Sequence, residues 1–505
     1  MKREQRFFFL PLLILLNVIL LGFRAEATSY AVKAGGGGNY TSISACAAAA
    51  VAGDSCIVYA GSYGGWTQPT SGSAGKPITF TANPGDTVKI TSGVTLSGRS
   101  YIDIDHFTFT AGITGDGSTS HNVIDHNTFS GVTAFHINDG LGSNGSDNVF
   151  SNNTITFTSI ATNAMGLYVY GDRNRFENNT ISGGGGDCFD IGGKNVVVRN
   201  NYCHDENGST TGEHIDFVQV IGGGTTPTLS FSLVEGNKVK NNVNQAHFII
   251  IRTGSGPVAD TNIVRYNYAQ NLDSSGGNFG GVGDNVPNNW FYNNTIALEQ
   301  QAGENGDGAS WQNAPNGFSL NNIYYKSEAN SWSPVIGNSF GSHDLAFNPG
   351  YSGSWNASYS SEATYNTLKN QDPLFANYPT DDSLQSGSPA KGAGVALTTV
   401  AAGDSGSGTS LVVTNAHGFQ PGWAGTQGDW IRIGASATAQ ITAINYLTNT
   451  ITLASAIGRN AGNPVYLYKD SNGNVVLNGA NPDIGAHIDS GSNSPPPQNL
   501  QAIVH

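Results

Sequence analysis

A short stretch of the sequence, GEHIDFVQVIG (212–222), gathers titratable side chains in a chain in which only 11 % of the residues are charged. It carries His214, Asp216 and Gln219 around an apolar strand core. Alternation along a strand points the apolar residues inward and points His214 and Asp216 outward. A carboxylate beside an imidazole raises the imidazole pKa, so this pair could carry general acid–base chemistry.

Four other segments have the same form, a short apolar strand with polar side chains at alternate positions. They are AFHIND (134–139), GLYVYG (166–171), CFDIGG (188–193) and HFIIIR (247–252). Alternation places these further side chains on the outer face: His136, Asn138, Tyr168, Tyr170, Asp190 and His247. The sequence therefore predicts a functional groove over residues 134–252.

A repeat determines how these strands are held. A short apolar strand runs into an asparagine at regular intervals, and the equivalent residues are Asn127, Asn153, Asn179, Asn201, Asn237, Asn267, Asn294 and Asn322. A period of roughly 20–30 residues with short strands is typical of a solenoid. Because Gly and Asn adopt the positive φ of sharp corners, we interpret the repeat as a parallel β-helix with an asparagine ladder.

Two positions before each asparagine lies a second set of equivalent residues. Four consecutive members alternate in charge: Glu177, Arg199, Glu235 and Arg265. Rungs of a β-helix stack about 4.8 Å apart, so these side chains could pair with one another. We interpret them as a structural charge ladder and exclude them from the catalytic candidates.

The segment YTSISACAAAAVAGDSCIVYAGSYGG (40–65) contains a run of small residues, a Gly-Asp turn and an apolar strand. It resembles the N-terminal cap of the pectate-lyase-like right-handed β-helix proteins, in which a helix covers the open end of the solenoid. The resemblance spans roughly 28–393 and implies an all-β, right-handed parallel β-helix. This superfamily includes lyases, hydrolases, epimerases and non-catalytic proteins, so it does not specify a reaction.

The chain divides into five predicted parts. Residues 1–27 form a signal peptide with a basic start, an apolar run and AEA before the cleavage site. The β-helix takes 28–394, and a small antiparallel β unit of period-2 strands takes 395–475. A solenoid-terminal segment (476–491) and a Pro-rich tail (492–505) follow.

The signal peptide, the cysteines and the net charge indicate the compartment of the protein and the kind of partner that it binds. The signal peptide predicts a secreted protein, extracellular or periplasmic, with no membrane attachment after cleavage. In an oxidising compartment Cys46 could pair with Cys56, and Cys188 could pair with Cys203. The formal net charge of −14 argues against nucleic acid, which needs a basic surface. We expect a monomer whose partner is a polysaccharide.

The first interpretation of the groove is a polysaccharide lyase that cleaves a uronate polymer by β-elimination. His214, His247 or Arg252 would be the base, and Tyr168 or Tyr170 would protonate the leaving oxygen. Asp187, Asp190 and Asp216 could hold Ca²⁺, which prefers oxygen ligands and could bridge to the uronate. His136, Tyr168, Tyr170, Gln219 and His247 would contact the substrate.

Two other interpretations remain open. In a glycoside hydrolase, Asp190 and Asp216 would occupy comparable positions on adjacent rungs about 5–6 Å apart, near the retaining distance. Asp187 and Asp216 would lie further apart, nearer the inverting range. Alternatively, the protein binds carbohydrate without catalysis, as an adhesin-like or surface solenoid.

Overall fold

The structure is a computed structural model, and it describes the following parts of the chain: 27–131, 135–137, 145–158, 166–208, 215–221, 229–242, 247–252, 260–272, 282–284, 287–298, 310–311, 317–325, 340–347, 368–369 and 371–486. For some strand residues, including His136, His247 and Arg252, the backbone alone is described. Residues 1–26 of the predicted signal peptide, the Pro-rich tail and His214 lie outside the described residues.

Three parallel sheets run the length of the β-helix, and two of them have thirteen strands each within the described residues. Sheet A contains Ser29–Val32, Ser55–Val58, Ile78–Ala82, Ile102–Asp105, Val123–Asp125, Val149–Ser151, Arg175–Glu177, Val197–Arg199, Ser232–Glu235, Asn262–Arg265, Trp290–Tyr292, Phe318–Leu320 and Phe340–Ser342. Sheet B contains Gly61–Tyr63, Val88–Ile90, Thr108–Phe109, Thr128–Ser130, Thr154–Thr156, Thr180–Ser182, Tyr202–His204, Lys238–Lys240, Tyr268–Leu272, Thr295–Leu298, Ile323–Tyr325, Leu345–Phe347 and Leu368–Lys369.

Sheet C carries the strands that the sequence singled out for chemistry. Its described strands are Val94–Thr95, Ile113–Gly115, Phe135–Ile137, Leu167–Tyr170, Phe189–Lys194, Asp216–Ile221, His247–Arg252, Val282–Asp284 and Ser310–Trp311, with Leu229–Ser230 beside Phe189–Lys194. Inward side chains of the three sheets form one core, in which Phe150 stacks on Phe176 with ring centroids 5.2 Å apart.

The asparagine ladder is confirmed along its whole predicted length. In each step the backbone N–H and the side-chain NH₂ of one asparagine donate to Oδ1 of the next, as from Asn201 to Asn237 at 2.9 and 3.0 Å. The residue before a ladder position turns the corner with positive φ, for example 56° at both Asn178 and Asn200. The ladder ends on Asp344, whose Oδ1 accepts from Asn322 at 2.8 and 3.1 Å.

A second amide ladder escaped the sequence analysis. Asn122 donates to Asn148, and Asn148 donates to Asn174, at 2.9–3.2 Å. The same contact recurs between Asn262 and Asn289 at 2.8 and 3.0 Å. Each of these residues precedes a first-ladder asparagine by five positions in the sequence, and that spacing was the available signal. On these rungs both ends of the sheet A strand are therefore fixed by buried amides.

The predicted N-terminal cap is also confirmed. A helix, Ile43–Ala49, follows Ser42, whose hydroxyl accepts from the backbone N–H of Ala45 at 3.2 Å. A disulfide between Cys46 and Cys56 joins the helix to the strand Ser55–Val58. The second predicted pairing, Cys188 with Cys203, is present as well. No helix within the described ranges is long and apolar enough to cross a membrane.

The small antiparallel β unit near the C-terminus is a six-stranded sheet. In spatial order its strands are Thr398–Thr399, Pro464–Lys469, Trp430–Ile433, Ala437–Asn445, Thr450–Arg459 and Gly406–Val412, and a 3-10 turn lies at Trp423–Gly425. A short hairpin, Phe375–Asn377 with Asp381–Leu384, precedes it. After the six-stranded sheet the chain returns to the β-helix, where Ile484 and Gly485 donate to backbone carbonyls of Ala390 and Asn321.

The charge ladder joins the six-stranded sheet to the β-helix. Glu177, Arg199, Glu235 and Arg265 lie in register on adjacent rungs, as predicted. Arg265 is completely buried and donates to Glu235 at 2.5 Å and to both carboxylate oxygens of Asp429 at 2.7 and 2.8 Å. Ser471 of the C-terminal unit donates to Glu235 as well. The ladder is structural, and its further role is to dock the unit onto sheet A.

We predict that Asn201→Ala lowers the free energy of unfolding by roughly 2–4 kcal/mol, because the backbone N–H and the side-chain NH₂ of Asn179 lose their acceptor, and Oδ1 of Asn237 and the carbonyl of Phe176 lose the side-chain donor. Urea unfolding followed by circular dichroism measures the change. Asn460→Ala, at an exposed position, is the matched control and should cost less than about 0.5 kcal/mol. Equal midpoints for the two variants would contradict the role given to the ladder.

The ladder terminus predicts a pH dependence of stability. Burial raises the pKa of Asp344 from 3.8 to about 7. The folded protein then binds this proton more tightly than the unfolded chain between those two pH values, so stability falls as pH rises through that window. The fall in stability amounts to about 1.4 kcal/mol for each tenfold difference in proton affinity between the folded and unfolded chains. Asp344→Asn keeps an acceptor for Asn322 and removes this pH-dependent loss of stability.

Thermal unfolding of wild type and Asp344→Asn between pH 4 and pH 8 tests this prediction. The variant should gain stability relative to wild type as the pH rises, whereas Asp372→Asn, at an exposed carboxylate, should follow wild type. A constant difference between wild type and Asp344→Asn across the range would contradict the assignment.

Candidate functional site

A column of polar residues crosses sheet C at right angles to its strands. The register pairs His136 with Tyr168, Tyr168 with Asp190, and Asp190 with Gln219 on successive rungs. The first three of these residues are the ones that strand alternation placed on one face. We name His136, Tyr168, Asp190 and Gln219 the sheet C column.

Asp216 and His247 form a separate pair beside this column. The register places Asp216 opposite His247 on the next rung, and it places Gln219 opposite Ile250. The expectation that Asp190 and Asp216 occupy comparable positions on adjacent rungs is therefore wrong, because Gln219 takes the place opposite Asp190. The strand Asp216–Ile221 is displaced by three residues from the alignment that the sequence suggested.

Asp187 is hydrogen-bonded to the backbone of Asp216 on the neighbouring strand. Oδ1 of Asp187 accepts from the backbone N–H of Asp216 at 2.7 Å, and the N–H of Cys188 donates to the carbonyl of Asp216 at 3.0 Å. Side-chain Oδ2 of Asp216 accepts from the amide of Gln219 at 3.0 Å. One oxygen of each carboxylate thus holds the strand Asp216–Ile221 in place.

The acidic residues of the site are buried. The exposed fractions are 3 % for Asp187, 7 % for Asp190 and 0 % for Asp216. Asp190 and Asp216, which strand alternation placed on the outer face, are therefore covered by other residues and are not exposed to solvent. Ile215 and Phe217 belong to the core as predicted, and Val218 belongs to it too, so simple alternation does not hold in this strand.

Tyr170 is hydrogen-bonded to Asp190. Its hydroxyl donates to Oδ1 of Asp190, and its ring meets the ring of Tyr168 edge-on with centroids 5.4 Å apart. Burial raises the pKa of the Tyr170 phenol, and the charges of Asp190 and Asp187 raise it further. Tyr170 therefore stays protonated and acts as a hydrogen-bond donor to Asp190. Tyr168, which is only half-buried, is the phenol better placed to meet a substrate.

The predicted calcium ligands do not form a gathered site in the described contacts. Asp187, Asp190 and Asp216 each accept a hydrogen bond from a protein donor. Among the described residues, one set of three His, Cys, Asp or Glu ligand atoms lies within 4.8 Å, namely Cys188, Cys203 and Glu206. The two sulfurs of that set are joined in a disulfide. The three aspartates do not form a described ligand set of that kind, and calcium binding stays a prediction.

Glu206 is a buried carboxyl that the sequence analysis missed. It is 1 % exposed beside the Cys188–Cys203 disulfide, and burial raises its pKa to about 8. Its backbone N–H donates to Asn242, whose side chain in turn contacts Cys203. A glutamate three positions after a cysteine gives no sequence signal for burial, so the position could be found only from the structure.

The remaining predicted site residues are placed by backbone alone or lie outside the described residues. His136 lies in the strand Phe135–Ile137, and His247 and Arg252 lie at the two ends of the strand His247–Arg252. His214 and its neighbour Glu213 lie outside the described residues. Their predicted roles stay predictions.

Comparison with known proteins supplies no family. No family model matches the sequence, and no curated protein matches it. Among solved structures, the chain is similar to XylC in complex with xylose, with a TM-score of 0.44, 13 % identity, and coverage of 86 % of this chain and 99 % of that chain. The fold assignment rests on the observed strand pairing.

Two lyases match this chain with similarly low TM-scores and sequence identities. An alginate lyase from a Paenibacillus strain matches with a TM-score of 0.37 and 16 % identity over 55 % of this chain and 97 % of its own. The pectate lyase Pel9A matches with a TM-score of 0.37 and 15 % identity over 76 % of this chain and 94 % of its own. The activities named in these descriptions belong to those proteins.

We predict that Tyr170→Phe destabilises the protein by roughly 1–3 kcal/mol, because the buried carboxylate of Asp190 loses a donor. Urea unfolding measures the change, and Tyr101→Phe, at a half-buried tyrosine outside sheet C, is the control. Asp190→Asn should cost less in the Tyr170→Phe background than in wild type, since the two residues interact directly. Additive costs for the two substitutions would contradict the coupling.

Proposed function

We propose that the protein is a secreted carbohydrate-active enzyme that cleaves a uronate-containing polysaccharide by β-elimination at the sheet C column. The observation that carries the proposal is the polar column itself, which runs across successive rungs and thus along the β-helix axis. A linear polymer laid along that axis would meet several of these side chains at once. The two disulfides support export to an oxidising compartment.

The register suggests which residues would do the chemistry. Elimination needs a base for the C5 proton and an acid for the leaving oxygen. His247, whose backbone is in register with Asp216 on the adjacent strand, is the proposed base, and His214 remains a candidate for the same role. Tyr168, half-buried beside Asp190, is the proposed acid. Arg252, at the end of the His247 strand, is proposed to neutralise the uronate carboxylate.

Tyr170 and Gln219 would position the acidic side chains. The phenol of Tyr170 holds Asp190, and the amide of Gln219 holds Asp216. Fixing a carboxylate in this way keeps its orientation when a charged substrate arrives, which lowers the reorganisation that catalysis requires. Asp190 and Asp216 would then orient the acid and the base.

A hydrolase is the second candidate, and one observation favours it. Asp190 accepts from the phenol of Tyr170, and Asp187 accepts from the backbone N–H of Asp216 on the next strand, so two buried carboxylates lie on these adjacent strands. Paired carboxylates are the machinery of glycoside hydrolysis, and an acidic site repels a uronate unless a cation compensates. A neutral polysaccharide would then be the substrate.

A screen of the purified protein against uronate-containing and neutral polysaccharides, with added Ca²⁺ or with EDTA, separates these proposals. Absorbance at roughly 235 nm reports the unsaturated ends of elimination, and a reducing-end assay reports either cleavage. We predict that His247→Ala and Tyr168→Phe each lower the rate about 10²–10⁴-fold. Tyr101→Phe, next to the sheet A strand Ile102–Asp105, should leave it unchanged.

The pattern of product and variant identifies the reaction. Unsaturated product that disappears in His247→Ala supports elimination with that base, and loss only in His214→Ala moves the role to His214. Reducing ends without ultraviolet absorbance would replace the lyase by the hydrolase, with Asp190→Asn and Asp187→Asn as the next variants. Binding of polysaccharide with no product from any substrate would leave a carbohydrate-binding solenoid.

A further inference from the structure

A cleft of about 700 Å³ lies where the C-terminal six-stranded sheet meets sheet A, on a different sheet from the proposed catalytic column. Its walls include Trp290 and Phe318 of the β-helix and Tyr466 of the six-stranded sheet. The chain segment 392–399, which leads from the β-helix into the six-stranded sheet, forms another wall. The volume is in the range of small-ligand sites.

The lining of this cleft carries no formal charge in the described residues, although the chain as a whole has a net charge of −14. The one titratable imidazole among these lining residues is His343, and partial burial lowers its pKa, so it is neutral at pH 7. Arg432 stacks on the ring of Tyr466, but it donates to the backbone carbonyls of Gly479 and Ala480. An anionic ligand would therefore find no cation to pair with among the described lining residues.

Aromatic rings form the floor of the cleft. Trp290 stacks on Phe318 with centroids 4.3 Å apart and planes at 18°, and Phe318 remains half-buried. The other side of the indole is held by Gly418, where an added Cβ would lie 2.9 Å from Cε3 of Trp290. The indole Nε1 is buried without a hydrogen-bond partner among the described residues.

Polar side chains of the cleft are already oriented by the protein. Oδ1 of Asn415 accepts from the backbone N–H of His417 at 2.9 Å, which turns the amide NH₂ away from that contact. The hydroxyl of Tyr466 donates to Asn481 at 3.1 Å. Hydroxyls of Thr399 and Thr414 lie 2.9 Å apart. Amides and hydroxyls next to aromatic rings suit a ligand that has both apolar faces and many hydroxyl groups.

We propose that this cleft is a second, non-catalytic carbohydrate site that binds a neutral sugar unit. The C–H face of a pyranose would pack on Phe318, and its hydroxyls would bond to Asn415 and the threonines. The uncharged character of the described lining selects against uronates and separates this site from the acidic sheet C column. The site is built from both the β-helix and the C-terminal unit, so it gives the docked unit a function.

Isothermal titration and tryptophan fluorescence with neutral hexasaccharides of glucose, mannose and xylose test the proposal, with an oligouronate as the anionic probe. We expect at least one neutral oligosaccharide to bind and to change the fluorescence, and no binding of the oligouronate in the Asp190→Asn background. Asn415→Ala and Phe318→Ala should each weaken the neutral ligand at least tenfold. Leu447→Ala, at a side chain that is 98 % exposed, is the surface control.

The outcomes separate this site from the proposed activity. Neutral binding that survives in Asp190→Asn and is lost in Asn415→Ala supports the cleft, whether or not the protein cleaves any polysaccharide. Binding that is lost in Asp190→Asn and kept in Asn415→Ala would assign the ligand to the sheet C column and overturn the proposal. Absence of binding by every neutral probe, with unchanged circular dichroism in the variants, would also overturn it.

Discussion

The buried amide ladder is the interaction on which the rest of this structure depends. Each ladder asparagine donates its backbone N–H and its side-chain NH₂ to the next, as Asn237 does to Asn267 at 2.9 Å for both contacts. A rung shifted by one residue would leave these amides buried and unpaired, which costs about 1–3 kcal/mol for each group. The ladder therefore fixes the register of sheet A, and the covalent chain carries that register to the other two sheets.

The register of the strands brings side chains that are distant in the sequence next to one another. On sheet A it aligns Glu235 with Arg265, and the completely buried Arg265 then binds Asp429 of the C-terminal unit. Removing a buried charge from water is costly unless it is fully paired, so this guanidinium needs both carboxylates. The charge ladder is therefore part of the interface that attaches the C-terminal unit to sheet A.

The sequence alone was sufficient to predict the features that repeat along the β-helix. It was insufficient to predict contacts that occur on one rung only. Asn127 to Asn322 recur in the same context, so the ladder, its corners and the in-register charges could be predicted. Asp216 could not be placed, because the sequence before its strand has no periodicity to count along. The assumed pairing with Asp190 is made by Gln219 instead. Burial of Glu206 and the Tyr170–Asp190 contact depend on neighbours from other rungs, which no local pattern records.

The same geometry explains why chemistry would gather on sheet C. Adjacent rungs are about 4.8 Å apart, so one suitable side chain on each rung makes a continuous polar column along the axis. The ladder that enforces this spacing lies on sheet A, where Asn179, Asn201 and Asn237 are buried and committed to each other. Sheet C strands carry no such ladder among the described residues, and so His136, Tyr168, Asp190 and Gln219 can differ from rung to rung without disturbing the register. The stabilising ladder and the polar column thus lie on different sheets of one repeat.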